Sequence, residues 1–261
     1  MPETASMLLD ERRRLIAEQL KAEGSVSVTA LGRRFGISLM TARRDLSELE
    51  RRGIARRTHG GAVLPGPSSH EDAFAQRVET AVEAKERLAA AAAGLIAPGE
   101  SVFVDSSSTS WYAARRLVRD NVRCTLLTNS VPVMELMCAA SAPQVELIGL
   151  CGALRPLTRS LVGPQAVHAI RSYFADTALL SVKAVSEDGQ LTDPDPLEAE
   201  VKREMIGQSR MPLLLVDGSK FGRPALNAIA PVTDVGRVLA ADVPAPALAA
   251  LGRLGVAVDR V

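Results

Sequence analysis

The chain has 261 residues, of which 47% are hydrophobic and 3% aromatic, and its formal net charge is +1. This length suits two compact domains, and so few aromatic side chains argue against RNA-binding modules that stack bases. The cysteines lack the spacing of a zinc site, and no stretch predicts a membrane span or a signal peptide. We therefore expect a cytoplasmic protein without a metal or other cofactor. The cysteines are Cys124, Cys138 and Cys151.

Positive charge is concentrated at the beginning of the chain. Residues 1–60 carry 12 lysines and arginines against 8 acidic residues, whereas the remaining residues carry 19 against 22. A basic segment joined to a mildly acidic one indicates a nucleic-acid partner for the basic segment alone. A solvated arginine-rich helix has the same charge, so charge alone leaves both interpretations open.

The first sixty residues contain three predicted helices. The first covers "LLDERRRLIAEQLKAEG" and ends at Gly24, and a short β-favouring stretch, "SVSV", follows. "TALGRRFG" predicts a short second helix, capped by Thr29 and ended by Gly36. After a turn, Ser38 is expected to cap a third helix that runs to Gly53. This spacing is typical of a helix-turn-helix.

The third helix is predicted to present its first turns to DNA. At about 100° per residue, Ala42, Leu46 and Leu49 fall on one stripe that should face the core. Hydroxyl, thioether and guanidinium groups fall elsewhere on the same turns, where a recognition helix reads base edges. The candidate DNA-binding residues on this helix are Ser38, Met40, Thr41, Arg43 and Arg44.

The stretch "GIARRTHGGAV" predicts a β-hairpin behind the third helix. Ile54 and Ala55 begin its first strand, a glycine pair turns the chain, and Ala62 and Val63 return. Such a hairpin is a wing, and basic groups near its tip can reach phosphates or the adjacent minor groove. Residues 1–64 are therefore predicted to form a winged helix-turn-helix domain. The candidate DNA contacts on the wing are Arg56, Arg57, His59 and Gly60.

Residues 73–261 are predicted to form a second domain, after a Pro/Gly/Ser-rich linker over 65–72. A helix is expected from Ala73 to Ala97, and strands and helices alternate after it. This alternation predicts an α/β domain with a mainly parallel sheet covered by helices on both faces. The predicted strands are "SVFVD", "RCTLLTN", "QVELIGL", "TALLSV", "PLLLVD" and "GRVLAAD".

Four polar clusters follow strands of the predicted sheet, where α/β domains bind their ligands. They are 105–109, which is rich in hydroxyl groups, 128–129, 151–152 and 217–220. The hydroxyl-rich cluster opens a helix, so its hydroxyl and N–H groups can bind an anion, and Lys220 adds a positive charge suited to phosphate. Any one cluster could consist of ordinary polar loop residues, but four together indicate a shared pocket. The candidate effector-binding residues are Asp105, Ser106, Ser107, Ser108, Thr109, Thr128, Asn129, Gly152 and Lys220.

An enzyme is the alternative to a binding protein. A serine nucleophile needs a histidine and an acid, and "DSSST" also lacks the G-x-S-x-G turn. The chain has only His59, His70 and His168, which lie on the wing, in the linker and on a helix. An isomerase would need a general base, for which Asp105 and Asp217 are candidates by position. No catalytic residue is assigned.

The segment "VSVTALGRRFGISLMTARRDLSELERRGIARRTHGGAV" resembles the DNA-binding domain of the DeoR family of bacterial sugar-metabolism regulators. "VFVDSSST", "LLTNS", "SLVGPQA", "EAEVKREMI" and "LLLVDGSKFGRPAL" resemble the family's effector domain, so the resemblance covers nearly the whole chain. It implies a fold similar to ribose-5-phosphate isomerase and coenzyme A transferases. Glu200 and Lys202 match the family's glutamate–valine–lysine helix, either as structural residues or at the border of the pocket.

The resemblance implies a sequence-specific transcriptional regulator, more often a repressor, that binds a double-stranded DNA operator as a homodimer or homotetramer. Its implied effector is a phosphorylated sugar or polyol. The alternative is an enzyme similar to a sugar-phosphate isomerase with a fused DNA-binding head. The chain departs from the family at Ala42, where isoleucine is common, at Cys151, where glycine is common, and around Lys183. The last two departures leave the identity of the effector open.

Overall fold

A computed structural model describes residues 9–51, 54–58, 60–63 and 71–261. The chain divides into two compact units, Met1–Ala73 and Phe74–Val261. Of the predicted linker, residues 65–70 lie outside the described residues. Among the helices of the described ranges, none is long and apolar enough to cross a membrane.

The first unit is a helix-turn-helix with a three-stranded antiparallel sheet in the order β1-β3-β2. Its core is formed by side chains from all three helices, and the predicted stripe of Ala42, Leu46 and Leu49 is confirmed as buried. The winged architecture is therefore as predicted. The elements are α1 (Leu9–Glu23), β1 (Ser25–Ser27), α2 (Val28–Phe35), α3 (Leu39–Arg51), β2 (Arg56–Thr58) and β3 (Gly61–Val63).

Two local boundaries in this unit differ from the predictions. The cap of α2 is Ser27 and not Thr29, because the Ser27 Oγ accepts a hydrogen bond from the Ala30 N–H at 3.1 Å. Strand β2 begins after Ile54 and Ala55, since both of their N–H groups donate to the Leu49 carbonyl and complete the end of α3. Helix α2 therefore follows β1 directly, whereas residues 52–55 separate α3 from β2.

The second unit is built on a seven-stranded sheet, counted over the described residues, in the order β15-β14-β12-β9-β4-β5-β6, with every neighbouring pair parallel. The elements are α4 (Phe74–Glu79), α5 (Val82–Leu95), β4 (Ser101–Val104), α6 (Ser108–Arg119), β5 (Cys124–Thr128), α7 (Val131–Ala139), β6 (Val145–Gly149), β7 (Ala153–Arg155), β8 (Ser160–Val162), α8 (Pro164–Arg171), β9 (Ala175–Leu180), β10 (Ala184–Val185), β11 (Gln190–Asp193), α9 (Pro196–Gly207), β12 (Ser209–Asp217), β13 (Asn227–Pro231), β14 (Arg237–Ala241), α10 (Ala245–Arg253) and β15 (Val258–Arg260).

The sheet separates two apolar cores, as the alternation of its strands requires. In β4, Val102 and Val104 face the core beneath α5, α6 and α7, whereas Phe103 faces the core beneath α8, α9 and α10. The prediction of helices on both faces is confirmed. The pattern did not reveal a hairpin of β7 and β8, or a small antiparallel sheet in the order β10-β11-β13.

The helix predicted from Ala73 to Ala97 is two helices. Ala81 has φ 49° and ψ 45°, a left-handed conformation that ends the path of α4 and starts α5. No glycine or proline marks this break in the sequence. The break turns α4 into a separate short helix at the beginning of the second unit.

Candidate DNA-binding surface and effector pocket

The beginning of α3 is capped as predicted. The Ser38 Oγ accepts a hydrogen bond from the Thr41 N–H at 3.1 Å and lies 2.9 Å from the Thr41 Oγ1. Met40, Arg43 and Arg44 are exposed on the same turns. The structure therefore places the predicted α3 residues together on one accessible surface.

A cleft of about 450 Å³ lies beside this surface, and four arginines line it. Arg43 and Arg44 come from α3, Arg57 comes from the wing, and Arg13 comes from α1. Converging guanidinium groups are suited to DNA phosphates and guanine edges. The sequence patterns did not single out Arg13, because its approach to α3 depends on how α1 packs.

Arg57, which was predicted on or near the tip of the wing, lies on β2 and contacts α3. Its Nη1 donates to the Ser47 Oγ at 3.0 Å, and its backbone N–H donates to the Glu50 Oε1 at 2.9 Å. The wing and α3 therefore form one continuous surface. The side chain of Arg56 and the whole of His59 lie outside the described residues.

Two glycines shape the turn of the wing. A Cβ at Gly61 would lie 2.0 Å from the Val26 carbonyl oxygen, so the close approach of β1 and β3 requires glycine there. Gly60 is exposed with open space beside it, and its carbonyl accepts a hydrogen bond from the Val28 N–H at 2.9 Å. The space beside Gly60 is therefore open.

Asp45 connects α3 to α1. It is 1% exposed, and its two carboxylate oxygens accept from the Arg12 Nε at 2.7 Å and the Arg13 Nε at 3.0 Å. A buried carboxylate bound by two guanidinium groups fixes the orientation of both helices. An acidic residue beside the apolar stripe of α3, with arginines in the first helix, was the available signal for this contact.

The candidate effector pocket lies at the switch point of the parallel sheet. Strand β4 has β5 on one side and β9 on the other, so the chain order reverses there, and ligands bind outside such points in α/β sheets. The loop from Asp105 to Ser107 follows β4 and opens α6 at this position.

Asp105 is a structural anchor of this loop. Its carboxylate is fully buried and accepts from the Ser107 N–H at 3.0 Å, the Ser181 N–H at 3.2 Å and the Lys202 Nζ. Burial acts to raise the pKa of Asp105, but the Lys202 charge and these hydrogen bonds outweigh it and hold the pKa below its ordinary value. Burial likewise acts to lower the pKa of Lys202, and the Asp105 charge outweighs it and raises that pKa.

The four hydroxyl residues of the loop divide into two pairs. Ser107 caps α6 by accepting from the Ser110 N–H at 3.0 Å, and Ser106 donates to the Glu198 Oε2 at 2.8 Å. Within the described residues, the hydroxyl and N–H groups of Ser108 and Thr109 have no hydrogen-bond partner. Because these N–H groups lie in the first turn of a 12-residue helix, they and the two hydroxyls are suited to an anion.

The predicted cluster of Thr128 and Asn129 follows β5, next to the hydroxyl loop, and Ser130 follows it. Thr128 is used within the fold, since its Oγ1 donates to the Val104 carbonyl at 2.7 Å. Asn129 donates through Nδ2 to the Leu161 carbonyl at 3.0 Å. Its Oδ1 and the Ser130 Oγ are buried and have no partner among the described residues. Buried polar atoms of this kind call for a ligand or water, so Ser130 joins the candidate site.

Gly152 is explained by packing within the protein. A Cβ there would lie 2.9 Å from both the N and the O of Val162 and 3.1 Å from the Ala166 Cβ, and its φ is 154°. The glycine lets β8 and α8 approach closely, with no ligand needed to account for it. The neighbouring Cys151 is exposed, and its Sγ lies 3.6 Å from the Gln165 carbonyl oxygen.

Lys220 belongs to a group of cations near the end of β12. Asp217 caps the short turn that carries it, accepting from the Ser219 N–H at 2.8 Å. Lys85 of α5 is 3% exposed, and its pKa is lowered to about 8. Burial is the largest cause of that shift, and the charges of Lys220 and Arg77 add to it while Asp217 opposes them. The sequence patterns did not single out Lys85 or Arg77.

A buried network joins the hydroxyl loop to the β7–β8 hairpin. Glu198 is 2% exposed and accepts from Ser106 and from the Ser160 Oγ at 2.5 Å. The Ser160 Oγ lies 2.8 Å from the Thr158 Oγ1, which accepts from the Arg155 Nη1 at 3.1 Å. The hairpin is therefore connected to the hydroxyl loop through Glu198, by contacts between residues far apart in the chain.

Two family models match the chain. The DeoR-like helix-turn-helix domain matches residues 12–67, and the DeoR C terminal sensor domain matches residues 80–240. These two matches correspond to the first and second units of the structure.

Curated relatives match most of the chain. It is 32% identical over 230 residues to the transcriptional repressor AccR of Agrobacterium fabrum, and the aligned region covers 88% of each chain. It is 33% identical over 237 residues to the glycerol-3-phosphate regulon repressor of Escherichia coli, over 90% of this chain and 92% of that one. Among solved structures, ribose 5-phosphate isomerase A of Methanocaldococcus jannaschii is similar with a TM-score of 0.39 and 16% identity, over 54% of this chain and 55% of that chain.

Proposed function

This chain belongs to the DeoR family of DNA-binding transcriptional regulators, and we propose that it represses transcription from an operator until a phosphorylated ligand binds its second unit. The observation that carries the DNA part is the cleft beside α3, where Arg13, Arg43, Arg44 and Arg57 converge. Arg44 is exposed on the turns that a recognition helix inserts into the major groove.

The ligand is proposed to be a phosphorylated sugar or polyol. The N–H and hydroxyl groups of Ser108 and Thr109 suit a phosphate, and Lys220 supplies positive charge near Lys85. The orphaned Asn129 Oδ1 and Ser130 Oγ suit ligand hydroxyl groups. One relative is named a glycerol-3-phosphate regulon repressor, which supports a phosphorylated metabolite as the ligand.

We propose that the second unit binds its ligand without turning it over. An isomerase needs a carboxylate base poised near neutral pH. Asp105 is fully buried and paired with Lys202, which holds its pKa below the ordinary value, so it is a poor base. Asp217 is used as a cap for the turn at Lys220.

The active form is proposed to be at least a dimer in the cytoplasm. A helix-turn-helix reads a short half-site, and two copies would place two α3 helices in successive major grooves about 34–36 Å apart. Sedimentation of the full chain with a duplex that contains the operator tests the number of copies bound.

The proposal is tested with the full chain and a labelled duplex from the DNA upstream of its gene. We expect a shifted band that resists unrelated competitor DNA, and release by one member of a panel of phosphorylated compounds. The panel contains ribose 5-phosphate, glucose 6-phosphate, fructose 6-phosphate, N-acetylgalactosamine 6-phosphate and glycerol 3-phosphate. Turnover of a panel member would instead support the isomerase alternative.

Arg44→Ala should weaken specific binding about tenfold or more, because one bidentate guanine contact contributes about 1–3 kcal/mol. The matched control is Arg253→Ala, an exposed arginine of α10 in the second unit. Equal operator affinity of Arg44→Ala and the wild type would contradict the assignment of α3 as the recognition helix.

A further inference from the structure

Phe74 is the residue at which the chain enters the second unit, since the first unit ends at Ala73. Its side chain is buried, although it begins a helix of only six residues, α4. A helix this short has little stability of its own. The position of α4 therefore depends on the groups that Phe74 contacts.

The ring of Phe74 packs against the helix that opens the candidate effector pocket. It meets the Trp111 ring edge-on, with centroids 6.4 Å apart and ring planes at 84°. Trp111 lies in α6, and its backbone N–H donates to the Ser107 carbonyl at 3.0 Å. This hydrogen bond closes the helical turn that contains Ser108 and Thr109. Phe74 thus contacts a residue within one turn of the candidate ligand-binding groups.

Trp111 also contacts the segment that follows β5. Its indole Nε1 donates to the Pro132 carbonyl at 3.3 Å. Pro132 comes shortly after Ser130, whose Oγ is buried and has no partner in the part of the chain that the structure describes. The tryptophan is therefore joined to both segments that carry candidate ligand-binding residues, the one after β4 and the one after β5.

The backbone of Phe74 is held by the β7–β8 hairpin. Its N–H donates to the carbonyl of Leu157, in the turn of the hairpin, at 2.9 Å. The hairpin is a two-stranded sheet of its own, and such a pair has little stability without further contacts. One of these contacts leads to the hydroxyl loop, because Ser160 donates to Glu198 and Glu198 also accepts from Ser106. Phe74 is thus connected to the hydroxyl loop by its backbone as well as by its ring.

We propose that Phe74 couples ligand binding at the first turn of α6 to the segment that joins the two units. The inference rests on the proposed function and goes beyond it, since it assigns the route of regulation. A ligand that binds Ser108 and Thr109 fixes the turn that Trp111 closes, and this favours the packing of Phe74 against the indole. A ligand shifts such an equilibrium only through different affinities for the two positions of α4, and the contact with Trp111 supplies that difference.

Hydrogen exchange in the full wild-type chain tests this route directly. The compound used is the member of the phosphorylated panel that releases the operator. Exchange of the backbone amides of residues 74–79, measured by mass spectrometry, should slow when this compound is added. Trp111 is the only tryptophan of the chain, so its fluorescence should change in the same titration and give the Kd of the compound. Unchanged exchange in 74–79 with a compound that does release the operator would overturn the inference.

Phe74→Leu keeps an apolar side chain at this position and removes the edge-on contact with Trp111. The variant should bind the operator alone, and the compound alone, within about twofold of the wild-type affinities. The ratio of operator affinities without and with saturating compound should fall about two- to tenfold, which corresponds to the contribution of an edge-on aromatic contact. A residue that only supports the fold would lower the melting temperature without changing this ratio.

Two control variants separate coupling from other effects of the substitution. Phe174→Leu makes the same change at an exposed residue that precedes β9, at the end of the sheet opposite the candidate pocket. Val238→Ala removes buried apolar contacts in β14 and should lower the melting temperature. Both variants should keep the wild-type ratio of operator affinities.

The possible failures of these experiments are distinguishable. A wild-type ratio in Phe74→Leu would overturn the role of Phe74 and leave the proposed function intact, because the compound still releases the operator. An equal fall of the ratio in Val238→Ala would show that Phe74→Leu acts through a general loss of stability. If no panel compound releases the operator from the wild type, the proposed function is wrong and the inference is wrong with it. The exchange measurement uses the wild type and does not depend on how a variant folds.

Discussion

Asp105 occupies a position that is typical of an active-site residue, but its contacts make it a structural anchor. Its carboxylate follows β4 directly, where catalytic acids of α/β domains also lie. The structure pairs it with Lys202, which approaches from α9, 97 positions along the chain. Burial opposes both charges, but the Lys202 charge lowers the pKa of Asp105 and the Asp105 charge raises the pKa of Lys202.

Asp105→Asn should destabilise the second unit by about 3–5 kcal/mol near pH 7, because it removes the carboxylate partner of the buried Lys202 ammonium, which retains the Ser181 carbonyl as an acceptor. Urea denaturation of the full chain measures this difference. Asp259→Asn is the control, since Asp259 forms a half-exposed ion pair with Arg237, a kind that contributes about 0–1 kcal/mol. A similar loss in the two variants would argue against a special role for the buried pair.

The same pair predicts how the cost of Asp105→Asn depends on pH. The pKa of Asp105 is lowered, so its contribution is present above the ordinary value of 3.8 and is lost as pH falls through the folded value. The pKa of Lys202 is raised, so its contribution is present below 10.5 and is lost as pH rises through the folded value. The gap between variant and wild type should therefore be widest between these limits. A constant gap from pH 3 to pH 8 would be inconsistent with an ion pair.

At the scale of elements, α3 was predicted well because its signals are local. Ser38 caps it, and Ala42, Leu46 and Leu49 repeat at helical spacing. What α3 packs against was not predictable, since Asp45 binds residues of α1 more than thirty positions away. The orientation of the recognition helix thus depends on a buried contact between elements.

Asp45→Asn should lower operator affinity about tenfold or more and lower the melting temperature of the first unit. The change removes the negative charge and one of the two acceptor oxygens, so at least one of Arg12 and Arg13 loses its acceptor. Glu11→Gln is the control, because Glu11 pairs with Arg14 on the exposed side of the same α1. Circular dichroism melting and the operator assay measure the two effects. Wild-type affinity in Asp45→Asn would show that α3 is oriented without this contact.

At the scale of the whole molecule, the proposed DNA contacts and the proposed ligand contacts belong to different units. The arginine cleft lies within Met1–Ala73, and Ser108, Thr109 and Lys220 lie within Phe74–Val261. Effector response therefore requires a coupling between units, which regulators of this kind achieve with about 1–3 kcal/mol. Variants of one unit should separate the two activities.

A double variant, Ser108→Ala with Thr109→Val, should keep ligand-free operator affinity and need at least about tenfold more compound for release. Two hydroxyl donors are lost, each contributing about 1.5–3 kcal/mol when the acceptor is charged, while the backbone N–H groups remain. Ser172→Ala is the control, at the exposed end of α8. A loss of operator affinity without ligand would contradict the separation.

The sequence alone was sufficient for the winged helix-turn-helix, the parallel α/β class and the loop that opens α6, because caps, turns and hydrophobic periodicity are local properties of the chain. It placed nine candidate residues at the pocket without distinguishing their uses. Tertiary contacts identified Asp105 and Thr128 as anchors of the fold, a local cap accounts for Ser107, and Ser108 and Thr109 remain as free donors. Tertiary contacts also bring the charges of Arg77 and Lys220 close enough to Lys85 to lower its pKa. Arg77 and Lys85 lie on either side of the helix break at Ala81, which no glycine or proline in the sequence predicts. Which polar group has a partner is decided by residues far apart in the chain, and local patterns carry no information about that.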